Sequence, residues 1–273
     1  MLVATPIGNL GDMTLRGLEA LGGADALLCE DTRVSGKLLE RYGIRVPLIA
    51  YHDHNAQKMQ GEIIARLKRG EALALISDAG MPLVSDPGFR LVAACVSEGI
   101  AVSACPGASA VTTALALSGL ATDRFCFLGF LPHRQGERQR LLRDWQNLPA
   151  TLIAFESPHR LLDALADIAA VLAERPMVVA RELTKLHEEL ARGTATTLHA
   201  DFAARPAVKG EIVLVIAPPD ETDPPTEELI EQAITAALKN APPAKVAAQV
   251  ARELGLARDD VYQRILKRRD HAP

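Results

Sequence analysis

The sequence contains no apolar run approaching the roughly 20 residues that a membrane helix needs, which argues against a helical membrane protein. A charged and then apolar leader is also missing, since strand-like residues come almost at once, so no signal peptide and a cytoplasmic location are expected. Cysteine is scarce. Cys29, Cys95, Cys105 and Cys126 sit in apolar surroundings without Cys-x-x-Cys spacing, a pattern of buried free thiols rather than of a zinc site or a disulfide framework. With a net charge of -4 there is no overall basic excess, which excludes a protein coated in positive surface. Gly-x-Gly-x-x-Gly, a Walker lysine and a Gly-x-Ser-x-Gly elbow are all absent, disfavouring NAD, nucleoside triphosphates and hydrolase chemistry. No internal repeat is visible at the level of residues.

What is present is length and rhythm. A chain of 273 residues, 48% hydrophobic, can bury more than one core. Strand-like runs at 2–4, 26–29, 47–51, 72–76 and 100–104 alternate with helical patterns, one capped by Thr14 and carrying Leu15, Leu18 and Leu21, another capped by Ser109. A second set follows, with strands at 125–131, 151–155, 177–180 and 210–217 and helices between them. The expectation is an α/β protein of two tandem α/β domains with a cleft between them. Residues 1–118 form the first domain, 119–219 the second, and 220–273 a Pro-rich linker and a small helix-turn-helix-like segment.

Chemistry-bearing residues gather just beyond predicted strand ends, where open α/β sheets place their ligands. The strand at 72–76 empties into Ser77-Asp-Ala-Gly-Met-Pro-Leu-Val-Ser-Asp-Pro-Gly88, and Pro6-Ile-Gly-Asn9 follows the first strand. Asp31, Arg33, His52, Asp53, His54 and Asn55 end two further strands, although surface turns use the same residue types. His52 and His54 alternate along the chain, so they are not expected to bind one metal. Ser157 reads as a helix cap before Pro158, leaving Glu156 and Arg160 as the functional candidates there. At Gly210 the missing side chain would allow close approach of a ligand. Basic residues collect at Arg134, Arg138, Arg140 and Arg143, and again at Arg258, Arg264, Lys267, Arg268 and Arg269. There Ala251, Gly255 and Val261 have helix-turn-helix spacing. Both basic clusters are compatible with a solvated helix face as well as with nucleic acid.

Taken in order, Ala4-Thr-Pro-Ile-Gly-Asn-Leu-Gly-Asp12, Cys29-Glu-Asp-Thr-Arg33, His52-Asp-His-Asn55, the 77–88 segment, Pro106-Gly-Ala-Ser109 and Phe155-Glu-Ser-Pro-His-Arg160 resemble the ribosomal RNA small-subunit methyltransferase I family of the tetrapyrrole methylase superfamily. The resemblance spans essentially the whole chain. It implies S-adenosylmethionine folded into the interdomain cleft, a homodimer, and 2′-O-methylation of a cytidine ribose in the decoding region of 16S rRNA in the small ribosomal subunit. Pro6, Ile7, Gly8, Asp78, Ala79, Gly80, Met81, Ser109, Ala110, Phe155, Glu156, Gly210 and Glu211 would line the cofactor cleft, with no metal required. From their positions, Asp31, His52 and Glu156 are candidates for accepting the ribose proton. Arg33 and Arg160 are expected to hold phosphate, with Arg134, Arg138, Arg258, Arg264 and Lys267 as further RNA contacts. Two competing readings remain: a methylase of tetrapyrrole precursors, and a non-catalytic RNA-binding protein.

Overall fold

The computed structural model describes residues 1–219, 227–238, 241–254 and 256–270. The first half runs β1 (Leu2–Val3), α1 (Leu15–Gly22), β2 (Ala26–Cys29), α2 (Thr32–Arg41), β3 (Leu48–Ala50), α3 (Asp53–Lys68), β4 (Leu73–Ile76), α4 (Phe89–Ser97), β5 (Ala104–Cys105) and α5 (Ala110–Ser118). Its five strands are all parallel, in the order β3-β2-β4-β1-β5. Every residue of β2 and β4 is buried, as a parallel sheet covered on both faces requires. Leu21, Leu27, Leu39 and Ile76 pack on one face; Leu28, Tyr51, Ile63 and Leu91 pack on the other.

The second half runs β6 (Phe125–Phe130), α6 (Gln135–Trp145), β7 (Thr151–Glu156), α7 (Leu161–Leu172), β8 (Pro176–Arg181), β9 (Glu189–Thr194), α8 (Ala195–Ala203) and β10 (Ile212–Ile216). This sheet, ordered β6-β7-β10-β8-β9, is mixed: β6 and β7 are parallel and every other pair is antiparallel. Helices α6, α7 and α8 cover one of its faces through Leu142, Leu161, Leu165, Leu198 and Phe202. The other face is covered by α5, the last helix of the first half, whose Val111, Ala114 and Leu115 join Ile7 against Ile153, Val178, Val213 and Val215. One apolar cluster thus fastens the two sheets together, and Met1–Pro219 forms one compact unit.

The second unit, Asp220–Pro273, has its own core. Helices α9 (Glu227–Leu238), α10 (Pro243–Leu254) and α11 (Arg258–Asp270) bury Ile230, Ile234, Val246, Val250, Val261 and Ile265. Ala251 and Val261 are buried there, as the helix-turn-helix spacing demands, while the expected turn glycine Gly255 and residues 220–225 of the linker expected at 218–225 lie outside the described residues.

Some local expectations are corrected. Leu15 is 80% exposed because six residues at roughly 3.6 per turn leave it about 120° from Leu21. Ser109 occupies the N-cap position of α5, but its side chain makes no capping bond, whereas Thr14 Oγ1 accepts from the Gly17 N–H at 3.0 Å. Strand β5 is two residues long and, among the described residues, pairs only with the equally short β1. Strand β9 was not expected at all.

Candidate active site

The carboxyl ends of β1 and β4, adjacent in the first sheet, are stitched together beyond the strands. The Thr5 N–H donates to Gly80 O at 2.9 Å and the Gly80 N–H donates back to Thr5 O at 3.1 Å. Thr5 Oγ1 donates to Ser77 O, and Ser77 Oγ donates to Gly80 O, each at 3.0 Å. Gly80 has φ +83°, and a Cβ there would lie 3.2 Å from Ile7 Cγ2, so the turn needs glycine for both conformation and space. Leu83 and Ser85 also have positive φ, 73° and 65°, a strained course that brings Met81, Val84, Ser85 and Asp86 to the wall of a cavity.

That cavity holds about 370 Å³, within the range of small-molecule sites. From the first half it is lined by Ile7, Asp78, Ala79, Gly80, Met81, Val84, Ser85, Asp86, Ser109, Ala110 and Val111. The second half contributes Phe130, Phe155, Glu156, Ser157, Pro158, Leu183 and Gly210 to Val213. A neighbouring recess of about 340 Å³ shares Ile7, Asp78, Ala79 and Glu211 and adds Pro6, Gly8, Lys37 and Lys185. All residues expected to hold a cofactor therefore line these two spaces, Pro6 and Gly8 in the recess and the others in the cavity.

Two carboxylates in the cavity are perturbed. Burial lifts Asp86 to about 6, reinforced by the charges of Glu30 and Asp78. Glu156 is also raised by burial, although the Ser157 N–H and Arg160 work against the shift. Its Oε1 accepts from the Ser157 N–H at 2.7 Å and pairs with Arg160 at 2.6 Å, whereas Oε2 is buried with no partner. A buried acceptor left open beside a cavity is suited to a donor on a ligand.

The other candidates fall in different places. Asp31 and His52 line neither space. Asp31 caps α2 and is held at about 2 by the Arg33 hydrogen bonds, which makes it a weak base. His52 precedes α3, with its N–H on Asn55 Oδ1 and its ring edge-on to that of His54 at 5.9 Å. Arg33 and Arg134 are exposed, each paired with a nearby acid, Asp31 and Glu137. Arg258 and Lys267 lie exposed on α11, while Arg264 is tied to Glu227.

Three expectations are overturned. Arg138 is not a surface contact for RNA: it is 3% exposed, its guanidinium is 2.5 Å from Asp167, and it also donates to the carbonyls of Pro132 and His133. Arg160 is not a free phosphate ligand, since it donates to Glu156, Ser157 Oγ and Leu131 O; for the same reason Ser157 makes no side-chain cap. Gly210 lines the cavity, and the space left by its missing side chain also admits Glu182: φ is +95°, and a Cβ there would overlap the Glu182 side chain. Glu182 there accepts from the Glu211 N–H and from Lys185, whose stem crosses Gly8. Sequence reasoning missed Asp86, although it lies in the same motif as Asp78; for Phe130, Leu183 and Lys185 no local signal existed.

The sequence model of the Tetrapyrrole (Corrin/Porphyrin) Methylases matches residues 1–199, and that of the RsmI C-terminal HTH domain matches residues 223–269. Among curated relatives, the Ribosomal RNA small subunit methyltransferase I of Mesorhizobium japonicum is 47% identical over 98% of this chain and 92% of its own. The protein of that name from Haemophilus influenzae is 45% identical over 96% of this chain and 94% of its own. Among solved structures, a diphthine synthase superposes with a TM-score of 0.62 at 18% identity, covering 79% of this chain and 89% of its own. A cobalt precorrin-4 methyltransferase superposes with 0.57 at 19%, covering 78% and 92%. These two share the fold. The chain belongs to the tetrapyrrole methylase family and, within it, to the ribosomal RNA small subunit methyltransferase I proteins.

Proposed function

We propose that this rRNA methyltransferase uses S-adenosylmethionine to methylate the ribose 2′-hydroxyl of a cytidine in the decoding region of 16S rRNA, acting as a cytoplasmic homodimer on the small ribosomal subunit. The observation that carries the reading is the cavity between the two α/β halves, in which apolar walls and two carboxylates of raised pKa meet. The residues present fit the proposed cofactor on two counts. Turn 78–80 and Ile7 line the cavity so close together that a Cβ on Gly80 would crowd Ile7, which leaves room for a ligand only because that side chain is missing, and Glu156 Oε2 offers a buried acceptor without a partner.

Bound there, S-adenosylmethionine would supply an electrophilic methyl group on a positively charged sulfur. Ile7, Asp78 to Met81, Ser109, Ala110, Phe155 and Glu211 would hold it. A ribose hydroxyl is a poor nucleophile until its proton is taken, and Asp86 is the carboxylate placed for that task. Glu156 is tied to Arg160 and sealed from water, whereas Asp86 is only half-buried and can pass the proton to solvent. As the hydroxyl becomes negative opposite a positive methyl donor, charge is neutralised in the transition state. Walls such as Ile7, Val111, Leu183 and Val213 keep water from weakening that attraction.

The test is transfer of labelled methyl from S-adenosylmethionine to unmodified small subunits, naked 16S rRNA and a tetrapyrrole precursor in parallel, with ribose-specific product analysis. Label on a cytidine 2′-oxygen is expected. Label on the tetrapyrrole alone would overturn the RNA assignment while leaving the fold untouched.

A further inference from the structure

Strand β6 carries an irregularity with a consequence for the cavity. Phe127 pairs with Ile153 and Phe130 with Phe155, so three steps along β6 match two along β7, as in a β-bulge. Gly129, at φ +72°, supplies the conformation the extra residue needs. Without the bulge, alternation would send Phe130 to the face opposite Phe127. With it, Phe127, Phe155 and Phe130 form one row, with edge-to-face ring contacts at 4.8 and 5.3 Å.

Phe130 ends the row at the rim. It lines the cavity and is still 57% exposed, so burial does not account for a ring held there. Val84, 37% exposed, also lines the cavity, from the 78–88 loop. Ser85 Oγ would lie 3.9 Å from a Cβ on Gly129, so that loop faces the bulge across the mouth. The mouth is therefore edged by an aromatic ring from one half and an aliphatic side chain from the other. Such an edge fits a flat heteroaromatic base, which gains from stacking whatever its hydrogen-bonding pattern.

We infer that Phe130 is the stacking platform for the base of the nucleotide being methylated, with Val84 against the same base. This rests on the RNA-methylation reading above. A structured RNA cannot enter a cavity of about 370 Å³, but one splayed-out nucleotide can bring its base to the rim and its ribose inside. The methyl donor also carries a base. The outer position of Phe130 assigns it to the polymer, and measurement separates the two.

Wild type, F130A, F130L and F130Y are compared in methyl transfer to small ribosomal subunits, in equilibrium binding of S-adenosylmethionine and in thermal melting. F130A is expected to raise KM for the RNA substrate about ten- to a hundredfold. Donor Kd should stay within about twofold and melting should be unchanged, with F130Y near wild type and F130L close to F130A. F130L matching wild type would reduce the ring to an apolar rim, and donor binding weakened as much as RNA binding would give the ring to the donor's adenine; either overturns the proposal. An active wild type with KM unmoved in F130A removes the stacking role alone. A wild type that methylates no RNA removes the functional reading together with it.

Discussion

In the proposed role of base, Asp86 couples activity to stability through one carboxyl group. Its folded pKa of about 6 stands above the ordinary 3.8, so kcat/KM is expected to rise with pH through about 6 as the base ionises. D86N should lower the rate about 100-fold or more and flatten that limb, a result read directly from a pH-rate profile. The stability effect has the opposite sign. A carboxyl raised on folding binds its proton more tightly in the native state, so stability falls as pH rises from about 4 to about 6 and the penalty is complete above that range. Melting of D86N is therefore expected above wild type at pH 8 and equal to it near pH 3, where both forms are neutral. Gly210 tests a steric claim at the same scale. G210A meets Glu182 and an unfavourable φ together, and should destabilise by about 1–3 kcal/mol in urea titration, loosening the Glu182–Lys185–Glu211 latch beside the cavity.

At the scale of elements, α6 and α7 are joined by a buried ionic knot. Burial alone would raise the Asp167 carboxyl, but hydrogen bonds from Gln139, Gln135 and Arg138 outweigh it and hold the group below its usual range. D167A leaves the Arg138 guanidinium buried without its counter-charge, at an expected cost of about 3–5 kcal/mol. The pair R138M/D167L should recover most of that loss in the same denaturation experiment. The knot also explains why the basic helix was only partly legible. An arginine in a charged run looks solvated, and nothing near it in sequence names a partner on α7, 29 residues away. Strands rich in apolar residues, such as β2, β4 and β10, all buried throughout, and β7, buried but for Phe155, were legible because burial leaves a continuous signal. Strand β9, Glu-Leu-Ala-Arg-Gly-Thr, is an edge strand with no buried residue and carries no such signal. The cavity walls from the first half followed from turn chemistry after strands. Those from β6 and the 182–188 segment depend on a bulge and on a crossing between halves, which only the fold brings together.

Across the whole molecule, the separate cores of Met1–Pro219 and Asp220–Pro273 imply separable tasks. All the cavity residues named here lie in the first unit, so a chain ending at Pro219 should fold with a single melting transition and bind S-adenosylmethionine within about twofold of the full protein. The second unit exposes Arg258 and Lys267 on α11 and Lys245 and Arg252 on α10, a set of cations able to contact phosphate. Deleting it should weaken RNA binding without changing which ribose is methylated. Because each phosphate contact contributes about one unit to the slope of log affinity against log salt, the shortened chain should show a shallower slope. Binding titrated across a series of salt concentrations decides the matter: parallel lines would mean that the helical unit makes no phosphate contact, and a slope smaller by two or more would assign to it that many of the charges that hold the RNA.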